Sequence, residues 1–213
     1  MRSLGGAANT FANESFMDEL AAEAKSDPLE FRLRHLDDPR AIEVLKIAAQ
    51  NAHWGVALPQ GEGQGIAFAQ YENEEAYVAT VAQVHVDAKS GAVRVKRIVV
   101  AHDCGLIINP DGLRNQIEGN AIQSASRALK EQVTWANSHI TSLDWDSYPI
   151  LNFSEAPDVE VVLINRPDQP AMGAGEPSTI TTAPAIANAI YAATGVRVRE
   201  IPFTPQRVLA ALT

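Results

Sequence analysis

Residues 77–101 read YVATVAQVHVDAKSGAVRVKRIVVA, and this stretch decides the fold class. From Tyr77 to Asp87 the β-branched Val78, Val84 and Val86 are set off by polar Gln83 and His85, the period-two pattern of a strand. Ala88-Lys89-Ser90-Gly91 supplies a hairpin loop, with glycine where a left-handed backbone is needed. Ala92 to Ala101 is the returning strand. Its last four residues, Ile98-Val99-Val100-Ala101, are apolar without alternation, which predicts a sheet covered on both faces at that end.

Working outward from the hairpin, the first quarter of the chain reads as helix. Residues 1–12 are rich in Gly, Ala and Asn and are expected to be loop. A helix is expected from Asn13, with Phe16, Met17, Leu20, Ala21 and Ala24 on one side. Asp27-Pro28 and Asp38-Pro39 each join a capping Asp to a proline in the first helical position. The helices they open carry Leu29, Leu33 and Leu36, then Ile42, Leu45, Ala49 and Ala52. Residues 56–63 read as a Pro/Gly turn region.

After the hairpin, Asn109-Pro110 opens a helix with a stripe of Leu113, Ile117, Ala121, Ala125 and Ala128. Its small side chains allow close approach to a neighbour. Asp158 to Ile164 and Val196 to Ile201 read as strands, and Thr204-Pro205 caps a last helix through Leu212. Between those strands a further helix is expected, with Thr182 as cap and Pro184 in its first turn. Ile186, Ala189, Ile190 and Ala193 share its face, and Gly195 stops it. A helical segment 1–55 followed by a mixed segment 56–213 suggests α+β, or a mixed α/β arrangement, and not a doubly wound sheet.

Composition narrows the function. With 213 residues the chain can bury a real core. A net charge of -9 and a pI near 5.0 argue against a nucleic-acid surface and against a polybasic membrane patch. No apolar run is long enough to span a membrane. Cys104 is the sole cysteine, so no internal disulfide can form. The opening Met-Arg-Ser-Leu-Gly-Gly looks like a loop cut short, which predicts a piece of a longer chain. The default expectation for compartment is the cytoplasm, or the periplasm if an export signal lies upstream.

The stretch richest in chemical promise is Met172-Gly173-Ala174-Gly175-Glu176-Pro177. Two glycines and an alanine leave almost no side-chain bulk, so another molecule can approach the backbone closely. Glu176 is the only titratable group there. If little water reaches it, its pKa rises and it can serve as a general base; the plain alternative is a Gly-rich turn with its Glu in solvent. Gln116, on the helix after Asn109-Pro110, offers two donors and an acceptor to a heterocycle or a phosphate, or is simply exposed. Arg2, beside Gly5-Gly6, can hold an anion or belong to a frayed end. Gly61-Glu62-Gly63-Gln64-Gly65 lacks the Lys-Ser/Thr of a phosphate loop and reads as a turn. His85, His102 and Asp103 match no closed metal site, so no metal ligand is expected among them. Cys104 beside His102 could be a thiol nucleophile, or a small buried hydrophobe.

Taken together, several segments resemble the large subunits of molybdenum hydroxylases. They are Arg2-Ser3-Leu4-Gly5 with Phe11 to Ala21, Asp27 to Arg32, Asp103-Cys104-Gly105 with Asn109-Pro110 and Gln116-Ile117-Glu118-Gly119, and Gly173 to Pro177 with Ala183 to Ile190 and Ala193 to Arg197. The family is xanthine dehydrogenase/aldehyde oxidoreductase. Leu143 to Ile150 and Arg199 to Pro205 resemble most the isoquinoline 1-oxidoreductase β-subunit branch. The resemblance implies the second half of the molybdenum cofactor-binding region and a molybdopterin cofactor, in bacteria usually the cytosine dinucleotide form. It implies hydroxylation of an aromatic N-heterocycle or an aldehyde carbon with oxygen from water, and electrons leaving through an iron–sulfur subunit. It makes Glu176 the base, places Gln116 against the pterin, and puts the Gly173-Ala174-Gly175 backbone and Arg2 along the cofactor. Asn120 and Ser124 stand where the pattern has glycine, and Leu4-Gly5-Gly6 replaces a Pro-Gly; such side chains could crowd a cofactor or line a subunit contact.

Two readings follow. In one, the chain is the C-terminal part of a catalytic subunit and works only with the rest of that subunit and its iron–sulfur partner. In the other it is a binding or assembly piece without catalysis or cofactor, prone to self-association because half a domain exposes apolar surface.

Overall fold

The computed structural model describes residues 2–213. Among these residues are six α-helices and six strands, besides two short 3-10 turns: α1 (Gly6–Glu23), α2 (Pro28–Arg34), α3 (Pro39–Asn51), β1 (Glu62–Gln70), β2 (Tyr77–Val86), β3 (Val93–Asp103), α4 (Pro110–Leu129), β4 (Trp135–Ala136), β5 (His139–Ile140), β6 (Asp158–Ile164), α5 (Pro177–Thr194) and α6 (Pro205–Leu212). The main sheet runs in the order β1-β2-β3-β6. Its first two pairings are antiparallel, and β6 lies parallel to β3.

Alternation along the strands sorts two cores. Val78, Ala82, Val84, Ile98, Val100 and Val161 face a layer that includes α4 and α5. Tyr77, Ala79, Val81, Val99, Ala101 and Ile164 face α3. The sheet is therefore covered on both sides, as the run Ile98 to Ala101 predicts. The loop after β2 holds its left-handed glycine, Gly91, at φ 73°.

Asp-Pro and related openings behave as read. Asp27 Oδ1 accepts the N–H groups of Leu29 (2.9 Å) and Glu30 (3.1 Å), and Asp38 Oδ1 accepts that of Arg40 (2.8 Å). Asn109 Oδ1 accepts that of Gly112 (2.9 Å), and Thr204 Oγ1 that of Arg207 (3.3 Å). Each cap contributes about 1 kcal/mol by satisfying a donor the helix cannot.

Four expectations are corrected. The first helix begins at Gly6, not Asn13, because tertiary packing outweighs the low helix propensity of glycine: an added Cβ at Gly6 would touch Ile180 and Tyr71. Residues 62–65 are strand, not turn. Gly63 and Gly65 face α5 two residues apart, and a Cβ at Gly65 would sit 2.1 Å from Ala189 N and 2.3 Å from Ala185 O. Glycine is there so that helix backbone can lie directly on strand backbone. Val196 to Ile201 forms no strand; Arg197 and Arg199 are instead turned onto α1, where they pair with Asp18 and Glu19. Finally, α5 starts at Pro177, so Thr182 and Pro184 lie inside it. Thr182 Oγ1 donates back to Ser178 O (3.0 Å) instead of capping.

α5 is the axis of the molecule. It is apolar nearly all round, as a helix enclosed by neighbours must be. Its one long polar side chain in the core, Asn188, donates to Ile66 O (3.0 Å) on β1 and Glu14 O (3.3 Å) on α1. Glu14 in turn accepts from Arg32 Nε (2.9 Å) and from the Phe68 N–H (2.8 Å), closing part of the free edge of β1.

Candidate active site

The N-terminal end of α5 is where separated segments converge. Gly105 has φ 76°, a region that disfavours any side chain, and a Cβ there would lie 2.0 Å from Pro170 O. This lets residues 104–106 run beside 169–172, joined by Met172 N–H to Cys104 O (2.8 Å) and Leu106 N–H to Gln169 O (3.3 Å). The bare loop that follows is thereby fixed against the end of β3. It delivers Glu176 as the residue flanking α5, and the Glu176 side chain makes no bond to that helix's own N–H groups.

The carboxylate is held from two other sides. Tyr71 O–H donates to Glu176 Oε2 at 2.6 Å, and Ser3 N–H donates to Oε1 at 2.9 Å. Ser3 Oγ–H donates to Glu176 O (2.9 Å). Arg2 Nε donates to Gly175 O (2.6 Å), and Arg2 also reaches Gln116 Oε1 (3.2 Å). An added Cβ at Gly175 would lie 3.6 Å from Gln116 Nε2. Glu176, Gly175, Gln116 and Arg2 thus form one constellation, although Arg2 and Gly175 are 173 residues apart in the chain. Gly173 is at its margin, its virtual Cβ 3.6 Å from Glu75.

One electrostatic expectation is overturned. Glu176 is half-buried, and its carboxyl lies below the usual glutamate value. The Tyr71 hydrogen bond is the main cause, followed by the Ser3 N–H, with the Arg2 charge adding to both. It is an ionised carboxylate at neutral pH, not a desolvated acid. Tyr71 carries little signal in the sequence. It is the first residue after β1, and it is marked only as an aromatic at the start of the acidic run Tyr71-Glu72-Asn73-Glu74-Glu75.

The other candidates sort apart from this constellation. Asp103 is fully buried and tied to Arg40 (2.6 Å) and Arg166 (2.9 Å), which locks the end of β3 to α3 and to the loop after β6. Burial acts to raise its carboxyl, but the Arg40, Gly105 N–H and Arg166 hydrogen bonds win and leave it lowered. Burial pushes the Cys104 thiol up, which removes the thiolate reading. His102 is fully buried with neither ring nitrogen hydrogen-bonded among the described residues, and burial lowers its pKa to about 4. His85 is exposed on β2. Among the described residues no three His, Cys, Asp or Glu side chains gather as a metal cluster, and no helix is long and apolar enough to cross a membrane.

Asn120 and Ser124 neither crowd the groove nor line an outer contact. Thr179 Oγ1 donates to Asn120 Oδ1 (2.7 Å) and Ser124 Oγ donates to Thr179 O (2.8 Å), so both stitch α4 to the first turn of α5. Neither lines the nearby groove of about 220 Å³, whose walls include Cys104, Ile108, Leu113, Gln116, Met172 and Gly175.

The groove has mostly apolar walls, the bare Ala174-Gly175 peptide edge and the side-chain amides of Asn109 and Gln116, and Glu176 follows directly after its Gly175 edge. The chain belongs to the molybdopterin cofactor-binding domain family, whose model matches residues 5–157. A nicotinate dehydrogenase subunit from Pseudomonas putida is 46% identical over 100% of this chain and 19% of its own length. The β subunit of isoquinoline 1-oxidoreductase from Brevundimonas diminuta is 34% identical over 96% of this chain and 26% of its own. The aldehyde oxidoreductase of Desulfovibrio gigas shares the fold with a TM-score of 0.83 over 100% of this chain and 41% of that one, at 17% identity. The chain therefore spans about a fifth of the nicotinate dehydrogenase subunit and about a quarter of the isoquinoline one.

The residues present fit such a cofactor in part. Gln116 and the half-buried peptide of Gly175, whose carbonyl accepts from Arg2, line the groove, and the lack of a side chain at Gly175 leaves room beside that backbone for a flat heterocycle. At about 220 Å³ the groove falls short of the roughly 300–1,000 Å³ that encloses a small ligand, so it does not by itself enclose a cofactor.

Proposed function

We propose that the chain is the C-terminal part of the catalytic subunit of a molybdopterin-dependent hydroxylase, with Glu176 as general base. The observation that carries the proposal is the convergence of Glu176, Gln116, Gly175 and Arg2 at one end of α5. When bound, the cofactor supplies a metal centre that activates water and accepts the electrons of the oxidation. The residues of this chain do the rest. Gln116 and the Gly173-Ala174-Gly175 backbone hold the pterin edge. Arg2 ties the loop to Gln116 through Gly175 O and adds positive charge. Glu176, ionised at neutral pH, takes a proton at its carboxylate, a contribution of about 10²–10⁴-fold for a positioned base.

The substrate class is an electron-poor ring carbon of an aromatic N-heterocycle, or an aldehyde carbon. The names of the nicotinate and isoquinoline relatives support the former. The cofactor form is the cytosine dinucleotide, the remainder of the large subunit forms the opposite wall, and an iron–sulfur subunit receives the electrons. In the full-length loaded enzyme, Glu176→Gln should lower kcat/KM by at least about 10²-fold with molybdenum content unchanged. Full turnover by that variant would end the proposal.

A second reading concerns the 213-residue polypeptide alone, and the segment between α4 and β6 favours it. Leu143 is 79% exposed, Trp145 73% and Phe153 100%, an apolar surface that asks for a neighbour. On this reading the isolated chain is an assembly unit that retains no cofactor. Metal analysis of the purified polypeptide decides it: no molybdenum supports it, and a stoichiometric amount rules it out.

A further inference from the structure

Tyr71 and Ser3, the two donors to the Glu176 carboxylate, both come from backbone held in unusual conformations. Ser3 and Leu4 have φ of 71° and 44°, and Glu72 and Asn73 have φ of 51° and 62°. Non-glycine residues in this region are strained and persist only where the surroundings enforce them. The turn after β1 is closed by Tyr71 N–H to Ala76 O (2.9 Å) and by Glu75 N–H to Tyr71 O (2.9 Å). It buries the Tyr71 ring, with Gly6 and Ile180 close by, so that only the hydroxyl reaches the carboxylate.

We propose that Tyr71 is a positioning residue for Glu176: its hydroxyl on Oε2, opposite the Ser3 N–H on Oε1, fixes the rotation of the carboxylate and sets the pH at which it takes up a proton. This rests on the reading of Glu176 as the base, but its test does not. Burial first, then the hydrogen bond to Glu176, raise the Tyr71 phenol; of the charged groups around the pair, Arg2 favours the ionised carboxylate, and Glu72 and Glu75 further disfavour a phenolate. The phenol therefore stays protonated and remains a donor throughout the neutral range.

The experiment is a pH titration of the full 213-residue chain labelled with ¹³C-glutamate, the Glu176 signal being identified by its loss in Glu176→Gln. Tyr71→Phe keeps the ring and removes only the hydroxyl. Loss of a hydrogen bond to a charged group should raise the Glu176 midpoint by about one pH unit. An unchanged midpoint overturns the proposal. Should Tyr71→Phe fail to fold, the unsubstituted chain labelled with ¹³C-tyrosine still decides: the Tyr71 ring carbon next to oxygen must shift with the Glu176 midpoint, and a flat trace overturns it. In the loaded full-length enzyme the acid limb of the kcat/KM profile should move upward in Tyr71→Phe, because a base with a higher pKa is protonated at higher pH. If the carboxyl midpoint shifts while Glu176→Gln still turns over, the base reading fails and the positioning role of Tyr71 stands.

Discussion

Gly65→Ala should loosen the whole domain, because one methyl group would be driven into the helix that carries the site. The added Cβ would lie 2.1 Å from Ala189 N and 2.3 Å from Ala185 O. Both are backbone atoms of α5 and cannot rotate aside. Reaching ordinary van der Waals contact requires α5 to retreat from β1 by roughly 1 Å, or β1 to bend. Overpacking of this kind costs about 3 kcal/mol, the upper end of its usual range, because no flexible side chain absorbs it. Against a total stability of roughly 5–15 kcal/mol this is a large fraction. In urea unfolding followed by circular dichroism, the midpoint should fall by about 1 M with the slope unchanged. Gly5→Ala is the control, since nothing lies within 4 Å of its virtual Cβ. A Gly65→Ala midpoint equal to that of the control would refute the claim that α5 rests directly on β1.

Two further predictions concern buried ionisable groups. Asp103→Asn strands the Arg40 guanidinium and leaves Arg166 with Glu43 alone; breaking a buried pair costs about 3 kcal/mol, the low end of the range because both arginines keep some solvent and Arg166 keeps a partner. The Asp103 carboxyl is lowered in the folded chain, so its contribution is complete above pH 3.8 and is lost as the pH falls further. His102 acts in a higher window. Unfolded, it binds a proton near pH 6.5; folded, only near 4. Between those values the unfolded chain holds the extra proton, so acidification removes up to about 3 kcal/mol of stability. His102→Leu should flatten that part of the stability–pH curve, and an unchanged slope would contradict the burial of a neutral imidazole.

Much of the fold was legible because local signals and burial agree. The hairpin at 77–101, the Asp-Pro helix starts and the α4 stripe each carry their own period or cap. What misled was glycine and proline whose reasons are tertiary. Gly63 and Gly65 resemble a turn until α5 is laid across them, and Pro184 resembles a helix start until the helix is seen to begin at Pro177. Val196 and Val198 alternate with arginines that serve Asp18 and Glu19 instead of a sheet. At the site, the bare loop with Glu176 at its end could be read directly. Its low pKa could not, since that comes from Tyr71 and Ser3, which lie 105 and 173 residues away in the chain.

The most direct test of the account is to locate the metal itself. Anomalous scattering at the molybdenum edge from crystals of the full-length loaded enzyme gives its position relative to Glu176. Molybdenum is expected on the Gln116 and Gly175 side of the carboxylate, within roughly 5 Å, one metal–ligand bond plus one hydrogen bond. Molybdenum beyond the reach of Glu176, or on the far side of α5, would contradict it.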